Sequence, residues 1–279
     1  MFSGGGPDNS RGGVSGGEPD NLYGCVSCGE PANLRGGVSG GAGCAYTYDL
    51  HVHSCLSPCA DDDMTVNNIA NMAMLCGLDI VALTDHNSLK NCPAFFKACA
   101  KAGVAPVAGT ELCTREETHA LCLFPTLEAG MEFDAYLERL LPSFINNEKI
   151  FGRQLILDEN DKITGSEPKL LISACDVGLD ELPGLMRAYG GVAVPSHIDR
   201  GSNSLIANLG FIAPEYEFRC YELGSPAALA GLSAANPILS RAIILYNSDA
   251  HSLAGLAGRE PGRLALPNKS AASLIKALA

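Results

Sequence analysis

The sequence predicts an α/β fold whose main body is one seven-stranded, TIM-like (β/α) barrel carrying a small inserted β-hairpin. Three observations point there. Short apolar runs alternate with helical patterns from residue 45 onward, and the about 235 residues of 45–279 match the length of a single barrel. A composition of 47% hydrophobic and 18% charged residues can fill one large core.

Residues 47–52 supply the first strand, and a helix at 66–75, closed by Gly77, follows. The run IVALT gives a second strand at 79–84. A helix at 88–101, ended by Gly103, leads to VAPVA and a third strand at 104–108. The run ALCLF makes a fourth at 120–124, and a long helix is expected at 131–147. In QLILDENDKIT (154–164) apolar residues alternate around a polar turn, which predicts a surface hairpin outside the barrel wall. A helix at 179–189, stopped by Gly190, enters VAVP at 191–195. Strands at 218–223 and 242–247, a short helix between them at 226–230 and a last helix at 271–278 complete the pattern. Continuous apolar strands separated by helices imply a parallel sheet buried on both faces.

The leader, residues 1–44, is built differently. SGGGPDNSRGGV, SGGEPDNLYGCV and SCGEPANLRGGV repeat one twelve-residue unit with almost no apolar surface, so it is expected to be disordered. Cys25 and Cys28 form a CxxC there, but they stand where sister units carry Gly13, Gly37, Gly16 and Gly40, and no second pair follows at finger spacing. Twelve Cys in a long chain without an apolar export segment read as reduced thiols, and no run approaches the about 20 apolar residues of a membrane span. A cytoplasmic protein is expected. Its net charge of −12 disfavours a broad basic face and predicts no binding of duplex nucleic acid, and the lack of a long apolar run predicts none of membranes. The oligomeric state is left open.

The six His carry the chemistry, each at a strand end: His51 and His53 in DLHVH, His86 after LTD, His119 opening ALCLF, His197 after VPS and His251 in SDAH. Side chains two apart on a strand share a face, so His51 with His53, and Asp249 with His251, can each chelate one ion. The C-terminal rim of a barrel would gather them with Glu111. Imidazole with carboxylate suits Zn²⁺, Mn²⁺ or Fe²⁺, and this many ligands suits two or three ions.

DLHVHS, LTDH, GTEL, HALCLF, PSH and SDAH resemble, in order and spacing, the motifs of the PHP (polymerase and histidinol phosphatase) superfamily of metal-dependent phosphoesterases, over about residues 46–252. The resemblance implies a distorted barrel of seven strands. It implies that His51, His53, Glu111 and Asp249 hold a first metal, that Glu111 bridges to a second on His119 and His197, and that His86 and His251 hold a third. Asp85 would orient an imidazole. Many members carry His where this chain has Cys59, which is either a softer third-site ligand or a plain thiol. Amidohydrolases also open with HxH, but their bridging Lys has no counterpart here, where Glu111 ends the third strand.

The expected reaction is hydrolysis of a small phosphomonoester, a nucleotide or amino-alcohol phosphate, by metal-activated hydroxide, with Glu111, Asp249 and His251 catalytic. Arg200, and secondarily Arg115, would hold the substrate's anionic groups. A short-oligonucleotide exonuclease and a non-catalytic metal-binding regulatory module are the alternatives.

Overall fold

A computed structural model describes Met1, residues 43–213 and residues 215–279. Cys25 and Cys28 lie outside the described residues, and all ten described Cys are free thiols. In chain order the elements are β1 (Cys44–Asp49), α1 (Val66–Leu75), β2 (Ile80–Leu83), α2 (Cys92–Ala102), β3 (Ala105–Cys113), β4 (His119–Phe124) and α3 (Leu127–Leu140). A short α4 (Glu148–Phe151) precedes β5 (Leu155–Leu157) and β6 (Ile163–Ser166), which pair antiparallel. Then come α5 (Leu182–Ala188), β7 (Val192–Pro195), α6 (Leu205–Leu209), β8 (Cys220–Glu222), α7 (Leu229–Ala235), β9 (Ile243–Leu245), α8 (Leu253–Ala257), β10 (Gly262–Leu266) and α9 (Ala271–Leu278).

Local chemistry sets the boundaries. Thr65 caps α1 by accepting from the Asn68 amide, and Thr126 caps α3 through Ala129, so α3 starts four residues before the expected 131. It stops at Leu140 because Pro142 forces Leu141 into an extended conformation. Gly103 ends α2 at φ 75°, a conformation costly for any residue with a Cβ.

A six-stranded sheet in the order β10-β1-β2-β3-β4-β7 curls into half a barrel, and β8 pairs with β9 in a separate parallel ladder. The expected uninterrupted parallel sheet is therefore corrected at two places. β4 runs antiparallel to both neighbours, because the 114–118 turn from β3 is far too short for a parallel crossover. β10, in a segment given no strand above, pairs antiparallel with β1 at the sheet edge; its alternating half-buried and exposed residues carry the signal.

The sheet is covered on both faces. Val81, Leu83, Ala120, Cys122 and Phe124 pack with the helices α1, α2 and α3 on one side. Their alternates Ile80, Ala82, Leu121 and Leu123 join Tyr48, Val107, Val192, Val194, Cys220 and Leu245 on the other, where α9 inserts Leu274, Ile275 and Leu278. This inner core holds the strand ends in fixed register beneath the site.

Candidate metal centre

Every described strand that carries a candidate ligand brings it to the same rim. Beyond β1 the chain continues extended, and Val52 bridges Ala250 in parallel, with the His53 amide donating to the Ala250 carbonyl at 2.9 Å. This bridge sets His51 and His53 beside Asp249 and His251. A second bridge, His86 to Glu111, joins the end of β2 to the end of β3. The reversed direction of β4 explains why His119, which opens its strand, reaches the rim where the others close theirs: it pairs with Cys113 at the end of β3. His197 follows β7 at φ 31° and Asp249 follows β9 at φ 52°, left-handed turns that aim both side chains inward.

Glu111, only 1% exposed, is the hub. Oε1 lies 3.2 Å from His51 Nε2, 3.2 Å from His119 Nδ1 and 3.1 Å from His197 Nε2. Oε2 lies 3.2 Å from His86 Nδ1 and 3.5 Å from His53 Nε2. Three sets of donor atoms fall within 4.8 Å of one another: His51, His53, Glu111 and Asp249; His86, Glu111 and His119; and His53, His86 and His251. The first is the ligand set the motifs imply for a first metal.

The first set fits a divalent cation on two grounds. His51 Nδ1 donates to Glu222 at 2.9 Å, and His53 Nδ1 donates to Ser57 Oγ at 3.0 Å, while Ser57 in turn donates to Asp85 at 2.7 Å. In the neutral rings that a metal ion requires, these partners place the proton on Nδ1, so that the two Nε2 lone pairs would face one another across 3.1 Å with Asp249 Oδ1 3.1 and 3.2 Å away. Four lone pairs converging in a dry site repel unless a cation sits among them. The second ground is distance: donors on a tetrahedral ion stand about 3.4 Å apart, and here they span 3.1–3.5 Å. His86 Nδ1 and Asp249 Oδ1 are also buried without a hydrogen-bond partner.

Protonation follows the same geometry. Burial works to raise Glu111, but His119 and His51 outweigh it and hold the carboxyl well below its usual range. Asp249 is likewise lowered against burial, chiefly by the neighbouring His51. Burial, with His53 adding to it, keeps His86 well below the ordinary imidazole value and pushes His251 down to about 4. Burial would lower His51 as well, yet Asp249, Glu222 and Glu111 hold it well above the ordinary value. A cation and a proton thus compete for the same pocket.

The hydrogen bonds of Asp85 lead through Ser57 to the His53 ring. Asp85 accepts from the Ser54 amide and from the Ser54 and Ser57 hydroxyls, and Ser57 braces His53. Arg200 pairs with Asp249 and lines a cavity of about 170 Å³ with His86, Glu111, His119, His197 and His251. Arg115 is placed elsewhere, bonded to Asp176 at 2.9 Å and lining neither cavity described for the site. Cys59 falls outside the three donor sets, exposed on the wall of an adjoining groove. Glu222 was missed by the sequence reading. It accepts from His51 Nδ1, the His197 amide and the Asn247 side chain, tying ligands of two strands together. Its signal is a carboxylate in the CYEL strand end, matching the other rim residues.

Such a centre on a curled α/β sheet defines a class first, that of proteins whose clustered His, Glu and Asp side chains can hold divalent metal. The family model of the PHP domain then matches residues 49–185. No curated protein matches the chain in sequence. Among solved structures it is similar to the lesion-specific endonuclease from Pyrococcus furiosus, with a TM-score of 0.59 and 21% identity over 84% of this chain and 56% of that one. A two-domain protein from Bacteroides vulgatus with a predicted PHP-like metal-dependent phosphoesterase matches at TM-score 0.51, 14% identity, 89% of this chain and 67% of the other. An amidohydrolase from Chromobacterium violaceum with bound sulfate matches at 0.51, 18% identity, 80% and 93%. The chain therefore spans a little over half the length of the endonuclease. That fold also occurs in an Endonuclease Q complex with a 27-mer duplex bearing an abasic lesion at the active site, at TM-score 0.59, 22% identity, 84% and 56% coverage. The exclusion of duplex nucleic acid drawn from net charge does not hold: a whole-chain sum of −12 says nothing of the local field at one rim. Among the described residues no helix is long and apolar enough to cross a membrane.

Proposed function

We propose that this chain hydrolyses phosphate esters, with two or three divalent cations held by His51, His53, His86, Glu111, His119, His197, Asp249 and His251. The observation that carries the reading is the buried carboxylate of Glu111, 3.1–3.5 Å from ring nitrogens of five His on four chain segments. When bound, Zn²⁺, Mn²⁺ or Fe²⁺ would supply Lewis-acid polarisation of a phosphoryl oxygen and acidification of a water.

The chain's own residues do the rest. Glu222 and the Asp85–Ser57 pair keep His51 and His53 turned with Nε2 inward. His251 donates from Nδ1 to the Asp249 carbonyl at 2.9 Å, leaving Nε2 unprotonated toward the cavity. Arg200, half exposed at the cavity mouth, offers a planar fork to phosphoryl oxygens. A cavity of about 170 Å³ accommodates a phosphoryl group and little more, which favours a small phosphomonoester, a nucleotide or amino-alcohol phosphate. The second reading, a nuclease acting on a DNA strand, is favoured by the similarity to the lesion-specific endonuclease.

Phosphate release from nucleotides and small phosphomonoesters, set beside strand cleavage of an abasic duplex, with each metal added, separates the two. Turnover of the esters and its loss in Glu111→Ala support the first; cleavage of the duplex alone supports the second; neither activity in metal-replete protein overturns the proposal.

A further inference from the structure

The phosphoryl cavity opens into a larger groove of about 530 Å³, and His86, His119 and Asn203 line both. A phosphate ester seated at the metal centre must place its leaving group there. The lining is uneven. Pro142, Phe144, Ile172 and Ala174 make an apolar wall, and Phe144 is 66% exposed, its ring free for stacking. On the other side stands Glu117, held at φ 57° by the tight turn between β3 and β4. Among the described residues Glu117 is the one carboxylate of the groove lining, and no Lys or Arg lines it. Among the described residues the one guanidinium in either cavity, Arg200, belongs to the phosphoryl side.

Resting on the phosphoesterase reading above, we infer that the groove selects the monophosphate ester of a nucleoside-sized aromatic alcohol whose leaving group carries no second anionic group. Phe144 stacks on the ring, a contact tolerant of base identity. A second phosphate would lie in a groove that holds Glu117 and no cation to pair it. In the reaction the oxygen of water bonds to phosphorus, the ester P–O bond breaks, and the alcohol departs into the groove with a proton from that water.

Metal-replete protein is assayed with adenosine 5′-monophosphate, adenosine 3′,5′-bisphosphate and glycerol 2-phosphate. The monophosphate is expected to exceed the bisphosphate by at least about 10-fold in kcat/KM. Phe144→Ala should raise KM for the nucleotide about 10-fold while moving glycerol phosphate less than about twofold, and Glu117→Lys should raise kcat/KM on the bisphosphate. Equal use of both nucleotides, or a Phe144→Ala effect shared by glycerol phosphate, overturns the inference. Should no ester be turned over, the phosphoesterase reading fails by itself, and calorimetric titration with adenosine decides the groove: binding weakened about 10-fold by Phe144→Ala upholds it, and no binding refutes it.

Discussion

Glu222 is the most informative residue to perturb, because it touches no cation yet sets the direction of one ligand and the backbone of another. Its carboxylate receives the His51 Nδ1 proton at 2.9 and 3.1 Å, the His197 amide at 3.3 Å and the Asn247 side chain at 2.9 Å, all at 1% exposure. Glu222→Gln keeps the shape and removes the charge that fixes the His51 proton on Nδ1. Loss of such a brace typically weakens metal affinity by about 10- to 100-fold, or about 1.4–2.7 kcal/mol. Glu222→Ala goes further, leaving three buried donors unpaired, and should lower unfolding free energy by about 3–5 kcal/mol. The assay is competition of Zn²⁺ or Mn²⁺ between the protein and a chelator of known affinity, with a denaturant melt alongside. Wild-type metal affinity in a folded Glu222→Gln protein would refute the claim that Glu222 orients His51 for a cation.

Three further outcomes follow from the same geometry. Stripping divalent ions with a chelator should lower the thermal midpoint, and Mn²⁺ or Zn²⁺ should restore it, since an ion at 100 times its Kd adds about 2.7 kcal/mol; a melt unchanged by chelation counts against the site. Cys59→Ser should leave metal content unchanged, because the thiol stands outside all three donor sets; loss of one ion per chain by elemental analysis would return Cys59 to the ligand list. Leu274→Ala, in the fully buried face of α9 against the inner side of the sheet, should cost about 2–5 kcal/mol in urea unfolding with metal content per folded chain intact.

The parts of this molecule that were legible in the sequence are those fixed by local pattern. The run IVAL reads as a buried strand, Gly77 closes α1 in the chain itself, and HxH two apart on a strand shares one face in any register. Strand direction was not legible, because apolar content is the same for a parallel and an antiparallel strand; only the brevity of the 114–118 turn marks β4 as reversed. That reversal also removes a tension in the sequence reading, which placed His119 at the start of a strand and all other ligands at ends. Contacts between distant segments stayed hidden for the same reason. Nothing local in CYEL says that Glu222 meets His51 171 residues away, and Ser57 gives no hint that it relays Asp85 to His53. Arg115 shows the converse: proximity in sequence to Glu111 placed it near the site, whereas the turn delivers it to Asp176.

The central claim is that Glu111 organises a centre of two or three divalent cations. Elemental analysis of anaerobically purified protein, wild type beside Glu111→Gln, tests it most directly. Two or three ions of Zn, Mn or Fe are expected per wild-type chain, and at most one in a Glu111→Gln protein that melts as a folded domain. Wild-type protein without bound divalent metal, or a folded variant that keeps its full complement, would contradict it.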